Sequence, residues 1–182
     1  VTGDVSDDGF VSQTVHDSHE RAGRLDHLVN AAAVLWFGKD MGLVDLNLDV
    51  FDRVLEINLR GPLQFAKHAI PLMQKSGGGS MVHISTIQCL RGDNAPQEGY
   101  QTSKAGLVAL SKSIAIQYAK DQIRSNVIYP GPCLTPMQDR WVGDDATQNA
   151  IADFVPIGRI GNADDMANAV TFLLSDKASF IT

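Results

Sequence analysis

Three short runs rich in β-branched and other apolar residues, Leu25–Val29, Ser80–Ser85 and Ile123–Tyr129, alternate along this chain with much longer stretches of helical periodicity. Each run is too short for a buried helix. Two adjoin glycine- or proline-rich turns, Gly77-Gly78-Gly79 and Pro130-Gly131-Pro132, and all three read as strands covered on both faces. Strands alternating with helices in this way form a parallel sheet wrapped by helices, an α/β fold. Ligands of such sheets bind beyond the carboxyl ends of the strands, which tells us where to look for chemistry.

Between the strands the helical stretches are legible one by one. Val1–Val5 reads as the end of a strand, and Phe10–Ala22 as a helix that Asp7 or Asp8 could cap. Asp49–Lys75 carries helical periodicity throughout and reads as one long helix whose tail is marked by Pro71. Gly99–Lys120 is helical, with Leu107, Val108, Leu110, Ile114, Ala115 and Tyr118 on its apolar side. Residues 135–155 are polar and poorly periodic, a loop or a pair of short helices, and Asp164–Leu174 is the last helix. No repeat or linker interrupts the pattern, so residues 1–182 read as one domain with 135–155 as a loop within it.

Composition excludes several functions. Fifteen Lys and Arg against 21 Asp and Glu give a net charge of −6, a poor surface for nucleic acid or anionic membrane. No apolar run approaches the ~20 residues a membrane span needs. Cys89 and Cys133 lack metal-type spacing and read as free thiols of a reducing, cytoplasmic setting. His16, His19, His27, His68 and His83 are scattered and form no metal cluster.

Chemistry enters with Tyr100 and Lys104. Four residues apart on one helix, they share a face at a separation of ~6 Å. A neighbouring ammonium stabilises a phenolate, so the pair is expected to act as an acid/base device with a lowered tyrosine pKa. Such spacing is common on solvated helices and would mean little alone. Strand-end polar residues converge on the same region, however: Asp4, Asn30, Ser85, Thr86 and Gly131 to Thr135.

Taken in order, these residues resemble the short-chain dehydrogenase/reductase family from end to end. Asp4-Val5 is similar to the acidic position that family places beside the adenine ring. Leu28-Val29-Asn30-Ala31-Ala32-Ala33 is similar to its Asn-Asn-Ala-Gly strand end, with Ala31 for the second Asn and Ala33 for the Gly. Asn58 matches the helix asparagine that holds a water in the proton relay, and Tyr100 and Lys104 match the Tyr-x-x-x-Lys pair. Pro130-Gly131 and Thr135 match the loop at the nicotinamide end, and Ile157–Thr182 resembles the closing segment.

There are two departures. The family's catalytic serine falls on Thr86, with Cys89 at the following glycine. Side chains alternate faces along a strand, which favours Thr86; Ser85 could serve only if the register slipped by one. The family's opening Gly-rich turn, which cradles a pyrophosphate, has no counterpart before Val1. Val1–Val5 would then be a third strand without neighbours. The expectation is a doubly wound, Rossmann-like parallel sheet incomplete at both ends, a piece of a longer protein.

The resemblance implies hydride transfer between NAD or NADP and a small-molecule alcohol or carbonyl. It assigns acid/base work to Tyr100, cofactor and pKa control to Lys104, the substrate oxygen to Thr86 or Ser85, and a relay water to Asn58. Asp4, Val5, Asn30, Ala31, Ala32, Pro130, Gly131 and Thr135, with Tyr100 and Lys104, would contact cofactor. Met137, Trp141 and Phe154 would offer apolar contact to substrate or anchor their loop. A homodimer or homotetramer is implied. Two alternatives stand beside this reading. One is a non-catalytic binding or scaffold protein. The other is an acyl-carrier-protein ketoreductase, for which Arg91, Lys120, Arg124 and Arg140 offer a thin basic patch.

Overall fold

Asp7 starts the regular structure. Its side chain accepts from the Phe10 N–H at 3.0 Å, capping α1 (Asp8–Ala22), and Gly23 ends that helix in the left-handed region at φ 74°. The computed structural model describes residues 1–182. Before Asp7 there is no strand, contrary to the expectation for Val1–Val5. A strand exists by hydrogen-bonding a neighbour, and no other extended segment runs beside this one. Asp4 instead turns back, its carbonyl accepting from the Asp7 N–H.

Three parallel strands form the sheet in the order β1 (His27–Asn30), β2 (Gly79–Ile84), β3 (Ile123–Ile128). Alternation along β2 splits the protein into layers. Met81 joins the core that α1 and α3 (Gly61–Ser76) build with Ile114 of α5 (Glu98–Gln117). Ser80 turns to the opposite face, where its hydroxyl donates to the Leu173 carbonyl of α7 (Ala163–Leu174). Helices thus cover both sides, as in a Rossmann-like fold. A small parallel pair, β4 (Cys133–Leu134) with β5 (Gly161–Asn162), lies apart and has no counterpart in the sequence reading.

The expected single helix over Asp49–Lys75 is interrupted. It runs as α2 (Leu48–Leu55), a π-helical turn over Glu56–Arg60, then α3. Pro71 sits inside α3 rather than at its tail; the helix continues to Ser76 and is closed by Gly77 at φ 88°. The π turn carries Asn58, and widened turns of this kind recur at functional sites. Residues 135–155 resolve into a tight helical segment, Pro136–Trp141, and α6 (Asp145–Phe154). A four-residue helix, α4 (Gln88–Arg91), follows β2.

Candidate active site

Past the carboxyl ends of the sheet opens a cavity of about 940 Å³. Its lining brings together Ala31 and Ala32 after β1, Ser85 and Thr86 after β2, Tyr100 and Lys104 of α5, and Pro130, Gly131 and Thr135 after β3. Those nine residues come from four separate stretches of sequence. Asp4, Val5, Asn30 and Asn58 do not line it.

α5 begins without a capping side chain of its own. Gln97 precedes it and makes no cap bond; Asp40, almost fully buried, supplies one from the loop before α2. Its two carboxylate oxygens accept the main-chain N–H groups of Gly99 and Tyr100, each at 2.8 Å. The start of the helix that carries Tyr100 is thereby pinned by a residue 60 positions away. Sequence reading missed Asp40. The only hint was the lack of Ser, Thr, Asp or Asn at position 97, where a helix needs a partner for its first N–H groups.

Tyr100 is 8% exposed and Lys104 2%. The Lys104 Nζ lies 5.7 Å from the phenol ring centre and donates to the Ile84 carbonyl at 2.7 Å. Burial pushes the Tyr100 phenol up to about 12, with the Thr86 hydroxyl drawing it partly back. This corrects the expected lowering. Desolvation of the phenolate outweighs any help from the ammonium, which is itself committed to a carbonyl. Lys104 is pushed down to about 8, again by burial.

Ser85 and Thr86 separate as strand alternation requires. Ser85 shares the face of Met81 and His83, and its hydroxyl donates to the Lys104 carbonyl at 2.9 Å. Thr86 lies just past the strand and lines the same cavity as Tyr100, near enough to the phenol to lower its pKa. Thr86 also donates to Gln88 Oε1 at 2.8 Å, and Gln88 Nε2 donates to Asp93. Burial alone would raise the Asp93 carboxyl, but the Ala95 N–H, the Gln88 amide and Arg91 together hold it below its ordinary value. Neither Gln88 nor Asp93 was given a role at this site from sequence.

Asn58 is fully buried. Its Oδ1 accepts from the Val34 N–H at 2.8 Å, and its Nδ2 donates to the Val34 carbonyl at 2.9 Å and to Ser103 Oγ at 3.2 Å. Both N–H donors are thus spent on tying the Ala33–Val34 strand exit to α5. A water held by this residue must use the remaining oxygen lone pair or the main chain.

Asn30 points inward and donates to His83 Nδ1 at 3.1 Å. The neutral ring then carries its hydrogen on Nε2, a buried atom without a partner. Burial, with the Lys104 charge adding to it, lowers the His83 imidazole from 6.5 to about 4. In the window between those values the unfolded chain binds the proton and the folded one does not. Stability from the neutral ring is therefore present above the unfolded pKa and lost as pH falls toward the folded one. The full window is worth at most about 3 kcal/mol. His83→Asn should flatten the acid limb of folding stability, measured by urea unfolding from neutral pH to pH ~4.

Asp4 lies outside the main cavity. Its carboxyl is held at about 2 by the Ser6 N–H and hydroxyl and by Arg53 of α2. Val5, Asn30, Ala31 and Ala32 line a smaller pocket of about 120 Å³ with Pro62 and Phe65. Of the three apolar loop residues, Met137 faces the main cavity. Trp141 instead packs near the Arg140 guanidinium, and Phe154 is 89% exposed at the end of α6. Cys133 lines the cavity, while Cys89 sits behind Ser85, their Sγ and Oγ 3.4 Å apart.

Comparison with known proteins gives a consistent result. A family model described as enoyl-(acyl carrier protein) reductase matches residues 1–182. A short-chain type dehydrogenase/reductase of Bradyrhizobium diazoefficiens is 37% identical over 181 residues, covering 98% of this chain and 63% of that protein. The 3-oxoacyl-[acyl-carrier-protein] reductase of Thermotoga maritima is 32% identical over 178 residues, covering 98% and 70%. Among solved structures, a tyrosine-to-phenylalanine variant of ElxO with NADPH bound superposes with a TM-score of 0.91 at 27% identity, covering 100% of this chain and 73% of that one. The chain thus spans about two thirds of the length of the relatives it matches. By the family match over its whole length and by these identities, it belongs to the short-chain dehydrogenase/reductase family.

Proposed function

We propose that this chain is the catalytic part of a nicotinamide-dependent oxidoreductase acting on a small alcohol or carbonyl compound. The observation that carries the reading is the meeting of a buried phenol, a threonine hydroxyl and a buried ammonium in the lining of one cavity. The lining fits NAD or NADP. Ala31 and Ala32 keep the strand exit low, so a ligand can approach the main chain closely. Lys104 has given one N–H to Ile84 and has two left, suited to the diol of a ribose. Pro130, Gly131 and Thr135 would bound the nicotinamide end, and Asp4 and Val5 the adenine end. The bound NADPH of the ElxO relative agrees with this.

The cofactor, when bound, supplies or accepts the hydride. Everything else falls to the chain. Held at about 12, the Tyr100 phenol is protonated at neutral pH and is ready to donate to a carbonyl oxygen. Thr86 would hold that same oxygen. Lys104, still largely charged near neutral pH with its pKa at about 8, would stabilise the phenolate left behind. In the opposite direction the phenolate takes the alcohol proton, which requires that charge to be turned from Ile84 toward the phenol. Asn58 would act by fixing Val34 at the cavity edge and by any water held on its free lone pair.

Thr102, Ala105, Ala109, Lys112 and Ile116 form an exposed stripe along α5. Its helical spacing suits pairing with a second copy in a homodimer or homotetramer. The free, half-buried cysteines suit a cytoplasmic setting, and no helix is long and apolar enough to cross a membrane.

The test is a titration of the full-length protein with NAD and NADP, followed by turnover on a panel of secondary alcohols and ketones read by nicotinamide absorbance. Saturable binding of one cofactor with turnover of at least one substrate is expected. Saturable binding of neither would favour a scaffold role for the fold.

A further inference from the structure

The chain leaving β1 is fixed at two points. Asn58 holds the Val34 main chain by its N–H and its carbonyl, and the Trp36 carbonyl accepts from the Asp40 N–H at 2.9 Å. Asp40 is also the residue whose carboxylate caps α5 at Gly99 and Tyr100. Trp36 is thereby held in register with the start of the helix that carries the phenol. Its side chain lines the large cavity, as does Met137 from the segment Pro136–Trp141. The two loops touch: the Arg140 guanidinium lies 3.4 Å from the centre of the Phe37 ring, the residue after Trp36. That cation–π contact ties the segment of Met137 to the turn of Trp36.

Charge is missing from this part of the lining. Lys104 is the only Lys, Arg, Asp, Glu or His side chain around the whole cavity, and it belongs to the cofactor end. Arg140, Asp93 and Asp40, from the surrounding loops, are spent on the Phe37 ring, on Gln88 and the Ala95 N–H, and on the start of α5. The amides of Gln88 and Gln138 are neutral, and that of Gln88 is already engaged by Thr86 and Asp93. A carboxylate, phosphate or ammonium on a substrate would lose water here and meet no counter-charge. An apolar body would instead bury surface against an indole and an adaptable thioether.

We propose that Trp36 and Met137 are the specificity-determining walls of the substrate subsite, and that the site selects ketones and secondary alcohols whose remainder is uncharged and apolar. The reacting carbon lies at Tyr100 and Thr86 as in the oxidoreductase reading above, on which this selection rests.

The probes are methyl 4-oxocyclohexanecarboxylate and its free acid, which differ at neutral pH by one negative charge far from the ketone. Binding to the full-length protein is measured by ligand-observed NMR with oxidised cofactor present, so that no ketone is turned over. The ester should bind at least about 10-fold more tightly than the acid. Trp36→Ala should weaken the ester by about 10- to 100-fold. Trp36→Arg, which supplies the missing cation, should turn the preference toward the acid, a change that a merely structural role for Trp36 would not produce. Equal binding of acid and ester by the parent, binding of neither, ester affinity untouched by Trp36→Ala, or a preference unmoved by Trp36→Arg overturns the proposal. Turnover of the ester with reduced cofactor is read separately. Selective binding without turnover would support the subsite and sink the hydride-transfer reading instead. Should the Trp36 variants not fold, the same two substitutions at Met137 decide.

Discussion

Tyr100→Phe in the full-length protein is expected to fold, to bind its nicotinamide cofactor with nearly unchanged affinity, and to lose turnover by about 10²–10⁴-fold. The change deletes one oxygen from a ring that is 8% exposed, and it leaves the packing of that ring intact. Thr86 keeps its bond to Gln88, and Lys104 keeps its bond to the Ile84 carbonyl. No buried partner is orphaned, so the stability cost should stay near that of a single neutral hydrogen bond, about 1 kcal/mol. What disappears is the phenol proposed to give a proton to a substrate oxygen beside Thr86. Cofactor affinity measured by nicotinamide fluorescence, set beside single-turnover rates, separates the two effects. Unchanged turnover would remove the phenol from the chemistry; lost binding would mean the ring is part of the cofactor seat instead.

Why this much could be read before any coordinates follows from which interactions are local. β2 and β3 were legible because each is a short run between helical stretches set off by turn residues, Gly77–Gly79 before β2 and Pro130 after β3. Tyr100 and Lys104 were legible because helical spacing alone puts them on one face. Alternation along β2 likewise separated Thr86, near the phenol, from Ser85, turned to the Lys104 carbonyl. The failures concern partners distant in sequence. Val1–Val5 has strand-like residues, but a strand is a property of two segments, and the second is not beside it. The π turn at Glu56–Arg60 leaves no mark on periodicity, since it inserts into a continuous rod. The tyrosine pKa went the wrong way because the cost of burial cannot be judged from an i, i+4 neighbour. The Thr86–Gln88–Asp93 line escaped notice because its direction depends on a loop carboxylate with no motif of its own.

Asp40→Ala is expected to cost about 3 kcal/mol of folding stability and to lower turnover more than cofactor affinity. Asp40 is 1% exposed, and both its oxygens are occupied by the N–H groups of Gly99 and Tyr100 at 2.8 Å. Alanine leaves those two donors buried without acceptors. Each loses a bond to a charged group, worth about 1.5–3 kcal/mol, and water entering the vacated space recovers only part of it. Gln97 cannot replace the cap: its own backbone is at φ −166° and ψ 54°, and it makes no cap bond. Fraying therefore starts at the turn that holds Tyr100. The phenol shifts relative to Thr86, while Lys104, one turn further in and tied to Ile84, moves less. Misplacement of a reacting group by ~1 Å can cost on the order of 10²-fold in rate. Urea unfolding reads the stability loss, and amide hydrogen exchange should localise it to residues 98–101 rather than to the whole helix. Asp40→Asn provides the control for charge. Its single oxygen satisfies one N–H, and its amino group meets the other donor-to-donor, so it should recover less than half of the lost stability. If Asp40→Asn instead matched the parent in stability and turnover, the carboxylate would be a space-filler, and the helix would be held at its start by packing alone.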